Sequence, residues 1–401
     1  MKAVVFHGVG DIRLDEVREP KLQKDTDAIV RLTSSAICGT DLHIIRGTMG
    51  GMKPGTILGH EGVGIVEEVG KEVRNFRPGD RVVIPSTIAC GYCSYCRAGY
   101  FAQCDEANPK GKHAGTAFFG GPASTGPIQG LQAEFARVPF AHVNLIRVPE
   151  GVSDDEAILV SDIFPTGYFG ADLAEIEHGD TVAVFGCGPV GAFAIASAFL
   201  HGAGRVLAVD NIPARLDMAR QLGAEVIDFN KEDPTKAILA LTGDIGVDSA
   251  IDAVGVDAEP AEKGPASIES RKQKSEFAEE VKKVAPKQDH DWEPGHAPSQ
   301  ALRWAVKSLA KAGTLSVIGV YPETFSAFPF GEATMKNLRI NGGNCHHRKY
   351  IPKLLSLIRN RSVDLGWILT NAEPLSSAVE AYEAFNRRQA GWIKVKLEPA
   401  A

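Results

Sequence analysis

The stretch TVAVFGCGPVGAFAIASAFLHGAG, Thr181 to Gly204, decides the fold. It holds no Asp, Glu, Lys or Arg, and its length alone would allow a transmembrane helix. Gly186, Gly188, Pro189 and Gly191 interrupt it straight after a five-residue β-type run. A strand, a glycine turn and a buried helix explain it better than a membrane span. The glycines form a G-x-G-x-x-G over Gly186-Cys187-Gly188-Pro189-Val190-Gly191. Alone that pattern is weak. Here it follows a strand and opens a helix, the context in which it binds a dinucleotide. The glycines permit a tight turn and a close approach of backbone to pyrophosphate, and the helix N-terminus adds N–H donors and a positive dipole.

Outward from this motif the chain alternates. RVLAVD, EVIDF, SAIDAVG and TLSVIGV read as short apolar strands, with PARLDMARQLGA as a helix between two of them. Strand–helix alternation implies a doubly wound parallel sheet. Asp210 ends the second strand, about twenty residues past the glycines, where a carboxylate bonds the adenine ribose and repels a 2′-phosphate. That favours NAD over NADP, with Arg215 flanking the ribose. Residues 257–300 break the rhythm. They are charged and proline-containing, and are expected to be a solvated insertion with one short helix around Phe277–Val284.

The chain before about residue 165 differs. KAVVF, DAIVRLTSSAI, GVGIVEEVG and DRVVI are strand-like runs with Gly/Pro punctuation, so a mostly β, barrel-like domain is expected. After about residue 342, two amphipathic helices and a last strand are expected to return to that domain.

Composition bounds the function. The 401 residues are 44% hydrophobic and 23% charged, ordinary for a globular protein, and the formal net charge of −7 argues against a nucleic-acid binder. The opening MKAVVFHGVGDIRLDE is too short an apolar run for a signal segment, so a cytoplasmic protein is expected. A reducing compartment and seven cysteines, an odd number, disfavour disulfides. Yet CGYCSYCRAGYFAQC carries four cysteines, Cys90, Cys93, Cys96 and Cys104, in C-x2-C-x2-C-x7-C spacing. One local loop can fill all four tetrahedral positions with thiolate. Such a site is closed to substrate and therefore structural.

Other polar clusters lie elsewhere. SAICGTDLHIIRG supplies Cys38, Thr40, Asp41 and His43; GHEG supplies His60 and Glu61; SDIFPTGY supplies Asp162 and Thr166. Singly, each is more often a packed core residue than a ligand. Together, C-G-T-D-x-H, G-H-E-G-x-G, the four cysteines, T-G-Y and G-x-G-x-x-G occur in the order and at the spacing of the zinc-dependent medium-chain alcohol dehydrogenases, which the chain resembles over nearly its whole length apart from 257–300. Asp at 162, where many members have Cys, looks like the glutathione-independent formaldehyde dehydrogenase branch.

The resemblance implies a GroES-like catalytic domain over 1–162 and 342–401, and a Rossmann NAD-binding domain over 163–341 with its insertion at 257–300. It implies one catalytic zinc on Cys38, His60 and Asp162, with Glu61 as alternate ligand, and one structural zinc on Cys90, Cys93, Cys96 and Cys104. Asp41 would orient His60, and Thr40 and His43 would relay the proton released when an alcohol gives hydride to nicotinamide. Thr166 would contact NAD beside Gly186, Gly188, Pro189, Val190, Gly191, Asp210 and Arg215. Lys394 is read either as a basic pyrophosphate contact or as an exposed lysine of the last strand. Ser86 and Thr87 would line the pocket. His346 and His347 receive no role. The resemblance further implies a small alcohol or aldehyde as substrate, no nucleic-acid or membrane partner, and a homo-oligomer, tetramer favoured over dimer. NAD is expected to exchange rather than stay bound. The rivals are a polyol or secondary-alcohol dehydrogenase of the same superfamily and a zinc-ribbon nucleic-acid binder.

Overall fold

The structure is a computed structural model that describes residues 1–285, 292 and 295–399. The chain forms two compact units, Met1–Pro165 with Asn344–Ala401, and Thr166–Gly343. The sequence put these breaks after residues 162 and 341.

In the second unit the opening stretch is strand Thr181–Phe185, a glycine turn, and helix Pro189–His201. No helix among the described residues is long and apolar enough to cross a membrane. Six strands form one sheet in the order Glu225–Asp228, Arg205–Asp210, Thr181–Phe185, Val247–Asp252, Leu309–Val317, Arg339–Gly342, and every pair is parallel. The order reverses between Thr181–Phe185 and Val247–Asp252, which is the crevice where doubly wound sheets bind ligands. Helices Pro189–His201, Pro213–Gln221 and Pro234–Leu241 each start on proline, whose missing N–H costs nothing at a first helical position. Ala194, Ile195 and Ala198 of the first helix pack on Val182, Val184, Val206 and Ala208.

Residues 257–285 of the insertion are more ordered than their charge suggested. Two helices, Ala266–Lys272 and Lys274–Val284, replace the expected single one. Phe277, Val281 and Val284 are buried, and their i, i+4, i+7 spacing makes one apolar stripe. Ala258, Ala261 and Ala266 join the core with Phe229 and Trp304. Glu280 anchors the second helix by accepting the Ser299 backbone N–H at 3.0 Å and its hydroxyl at 2.9 Å. Small alanines hid this packing from a reading based on composition. Residues 286–291 and 293–294 of the expected insertion lie outside the described residues.

The first unit is mostly β. A three-stranded sheet joins Asp11–Glu16, Lys2–Gly8 and Thr56–Ile57. A seven-stranded sheet runs Asn371–Pro374, Val395–Glu398, Ala28–Ile37, Gly62–Val69, Arg81–Ile84, Ile146–Arg147, with Phe135–Val138 also on Ala28–Ile37. The C-terminal segment thus supplies two strands of the first unit's main sheet.

Candidate metal centre and dinucleotide cradle

Sheet register assembles the first site. Antiparallel pairing sets Ser35 opposite Gly62 and Ile37 opposite Val395. The residues just beyond those pairs, Cys38, Glu61 and Lys394, therefore meet at one sheet end. Asp162 is brought in by helix Asp154–Leu159, started by a capping box in which Ser153 Oγ accepts the Glu156 N–H at 3.2 Å and Glu156 Oε2 accepts the Ser153 N–H at 2.8 Å. Ser161 then pins the segment. Its Oγ donates to the Ile84 carbonyl at 2.5 Å and accepts the Gly62 N–H at 2.9 Å.

Cys38, His60, Glu61 and Asp162 are all buried, and one donor atom from each lies within 4.8 Å of the others. Asp162 Oδ2 is 3.7 Å from Cys38 Sγ and 3.6 Å from His60 Nε2. Zinc bonds of about 2.0–2.3 Å in a tetrahedron give donor–donor edges of roughly 3.3–3.8 Å, so this set fits the ion. Asp41 organises it from behind. Its Oδ1 is 3.1 Å from His60 Nδ1, which turns Nε2 toward the donors, and its Oδ2 accepts the Cys38 backbone N–H at 3.0 Å. Gln132 Nε2 donates to the same Oδ2 at 3.4 Å, and the Tyr382 hydroxyl holds Gln132 at 2.8 Å.

The buried groups perturb one another's protonation. Burial pushes the Cys38 thiol up. Burial also works against a charged His60, but Asp41 and Cys38 outweigh it and hold the imidazole well above its ordinary value. For Asp162, burial is overcome by hydrogen bonds from His347 and His60, which hold the carboxyl well below the usual range. Glu61 is pushed up to about 7 by burial, against the pull of Lys394.

Lys394 corrects the sequence reading. It is not an exposed strand lysine, and its ammonium pairs with Glu61. The side chain is wholly buried, with Nζ 2.5 Å from Glu61 Oε1 and donating to the Ile37 carbonyl at 3.0 Å. The cause is register: pairing Val395 with Ile37 turns the neighbouring lysine inward beside Glu61. Thr40 and His43 lie three apart on helix Gly39–Ile45, hence on one face, with Thr40 Oγ1 3.9 Å from Cys38 Sγ.

Two residues beside the donors went unassigned in the sequence. His347 Nε2 is 2.6 Å from Asp162 Oδ1, and its Nδ1 is 3.0 Å from Thr87 Oγ1. The Phe118 ring meets His60 edge-on at 6.1 Å. The only signal for His347 was its place in NCHHR; its partner lies 185 residues away. Thr87 is buried and holds this histidine; His346 instead accepts the Ala102 N–H at 3.2 Å.

Cys90, Cys93, Cys96 and Cys104 form a second cluster, and all seven cysteines are free thiols. Backbone N–H groups of Tyr92 and Cys93 point at Cys90 Sγ, at 3.5 and 3.3 Å, and that of Glu106 at Cys104 Sγ, at 3.4 Å. These N–H groups favour the thiolate form, although burial pushes the Cys90 thiol up to about 11 against them, and four converging sulfurs fit a metal ion.

In the second unit, Gly186 adopts φ +86°, and a Cβ on Gly191 would stand 1.8 Å from the Gly186 carbonyl oxygen. Both glycines serve the turn itself. Gly188 is different: a Cβ there would meet nothing closer than the Arg215 guanidinium at 3.7 Å. The protein leaves that space open at the helix N-terminus, so the cradle fits a dinucleotide phosphate. Pro189 and Val190 begin that helix. Asp210 Oδ2 accepts the Cys187 N–H at 2.8 Å, and Oδ1 accepts those of Asn211 and Ile212 at 2.7 and 2.9 Å. Arg215 lies 3.9 Å from Asp210. Thr166 sits in helix Ile163–Leu173.

The likeness to known proteins follows this layout. The alcohol dehydrogenase GroES-like domain model matches residues 24–150, and the zinc-binding dehydrogenase model matches 189–261. An uncharacterised zinc-type alcohol dehydrogenase-like protein, AdhB of Bacillus subtilis, is 36% identical over 403 aligned residues covering 100% of both chains. The solved alcohol dehydrogenase TADH from Thermus sp. ATN1 is 34% identical, covers 99% of each chain and superposes with a TM-score of 0.79. The glutathione-independent formaldehyde dehydrogenase of Pseudomonas aeruginosa is 39% identical over 268 residues, 64% of this chain and 66% of that one. Full-length identity and the two domain models together show that the chain belongs to the zinc-type alcohol dehydrogenase family of oxidoreductases.

Proposed function

We propose that the protein is an NAD-linked dehydrogenase that interconverts a small alcohol and its aldehyde, on the formaldehyde dehydrogenase-like side of the family. The observation that carries this is the buried convergence of Cys38, His60, Glu61 and Asp162 donors. In this reading Cys38, His60 and Asp162 hold a catalytic zinc, and Glu61 is the alternate ligand. Cys90, Cys93, Cys96 and Cys104 hold a structural one. When bound, the catalytic zinc supplies a Lewis acid that lowers the pKa of an alcohol or polarises a carbonyl, and NAD supplies the hydride acceptor.

The chain's own residues do the rest. Asp41 fixes the His60 ring and the Cys38 backbone. Lys394 holds Glu61 by Oε1. Thr40 receives the substrate proton, and His43 on the same helix face passes it toward solvent. Phe118 walls the site beside His60. Gly188 leaves room for the pyrophosphate, Thr166 and Arg215 flank the cofactor, and Asp210 favours a free ribose over a 2′-phosphate. The aspartate at 162 and the partial likeness to the Pseudomonas aeruginosa enzyme support the formaldehyde-like placement.

The test is NADH formation on a panel of alcohols and aldehydes, run with metal analysis. Asp162→Ala is expected to lose one metal per chain and most turnover, while NADH still binds. Unchanged activity with full zinc would sink the assignment.

A further inference from the structure

We propose that His347 is the positioning residue for Asp162, fixing that carboxylate as a one-oxygen metal ligand so that the remaining coordination position stays open to substrate. The inference rests on the reading of Asp162 as a zinc ligand. Its basis is how the carboxylate is divided. Oδ1 lies 2.6 Å from His347 Nε2, whereas Oδ2 faces Cys38 Sγ at 3.7 Å and His60 Nε2 at 3.6 Å. One oxygen is spent on the histidine and the other points into the donor set.

The histidine is itself held. Thr87 Oγ1 lies 3.0 Å from Nδ1. The same hydroxyl reaches the Cys345 carbonyl at 3.3 Å. The Asp162 carboxylate only accepts, so Nε2 carries a proton and donates to it, while Nδ1 is held against the Thr87 hydroxyl. The ring is buried, at the first residue of helix His347–Arg359. The preceding residue ties that helix start to the cysteine lobe, because His346 Nδ1 accepts the Ala102 N–H at 3.2 Å.

Ligand chemistry explains why Asp162 needs such a partner. A thiolate offers one donor atom and cannot chelate. A carboxylate offers two, and binding through both would occupy the position that substrate oxygen must take. It can also rotate about its own axis. A hydrogen bond to one oxygen removes both freedoms, and partners of this kind tune metal affinity by about 10- to 100-fold. Aspartate at 162 and histidine at 347 thus act as one unit, although they are 185 positions apart.

The test uses the whole protein with cobalt(II) exchanged into the Cys38 site, comparing wild type, His347→Ala, His347→Gln and Asp162→Ala. Cobalt affinity is read by chelator competition and coordination number by the intensity of the visible d–d bands. His347→Ala is expected to bind cobalt about 10- to 100-fold more weakly and to show the weaker bands of a five-coordinate ion. His347→Gln, which keeps an N–H donor, should recover part of both, and added imidazole should do the same for the alanine variant. Unchanged affinity and bands in His347→Ala overturn the proposal. If that variant does not fold, Thr87→Val decides. Loosening the ring is expected to shift the bands in the same direction, and wild-type bands overturn it. Cobalt retained at wild-type affinity in Asp162→Ala instead defeats the parent reading. Loss in Asp162→Ala with no change in His347→Ala defeats this inference alone.

Discussion

Replacing Lys394 with methionine isolates the buried pair beneath the metal site. Methionine fills much of the lysine's volume without its charge. Two contacts go at once: the 2.5 Å bond to Glu61 Oε1 and the 3.0 Å bond to the Ile37 carbonyl. Glu61 Oε2 already has no hydrogen-bond partner among the described residues, so its carboxylate would be left buried and unpaired. Removing one partner of such a pair costs about 3–5 kcal/mol. The chain has one escape, which is to protonate Glu61. Burial pushes that carboxyl to about 7 from an ordinary 4.5, with Lys394 pulling it down. Without Lys394 it must titrate higher still.

The sign follows from proton counting. Between 4.5 and the folded value the native state binds a proton that the unfolded chain lacks, so stability falls as pH rises through that window. In the wild type the window closes near 7. In the variant it extends further, at a rate of about 1.4 kcal/mol per pH unit. Near pH 6 both proteins carry a neutral Glu61, and the difference should be about 1 kcal/mol, the worth of the lost hydrogen bond. Near pH 8.5 it should reach roughly 3 kcal/mol. Urea unfolding with chelator present, followed by circular dichroism at both pH values, measures this. The double variant Lys394→Met with Glu61→Gln should recover most of the loss at high pH. A penalty equal at both pH values, or a double variant no better than the single one, would refute the reasoning.

Two further outcomes are expected. Cys93→Ser should remove one zinc per chain and lower the unfolding midpoint, with activity declining only as the fold loosens; activity lost at full stability and full zinc content would contradict a structural role for the cysteine cluster. Asp210→Ser should weaken NAD and raise the NADP-to-NAD ratio of kcat/KM by about 10- to 100-fold, since a like charge beside the 2′-phosphate site is gone. An unchanged ratio would mean that another group selects the cofactor.

Local pattern carried much of the architecture. In the second unit the strands and the Gly186–Gly191 turn are written in contiguous stretches, because strand, turn and helix start are set by neighbouring residues. The four cysteines were legible for the same reason, all lying within one loop. The insertion was not, since Ala258, Ala261 and Ala266 find their core with Phe229 and Trp304, on elements distant in sequence.

What the sequence determined by itself is the set of groups present: a dinucleotide turn, a four-thiol loop, and scattered Cys, His and Asp residues. Only the tertiary structure decided who meets whom. Pairing of Ala28–Ile37 with Gly62–Val69 and Val395–Glu398 turned Lys394 inward onto Glu61. The return of the C-terminal segment set His347 against Asp162. A buried charge is tolerated only beside its counter-charge or hydrogen-bond partner, and that partner is chosen by register across the sheet, not by distance along the chain.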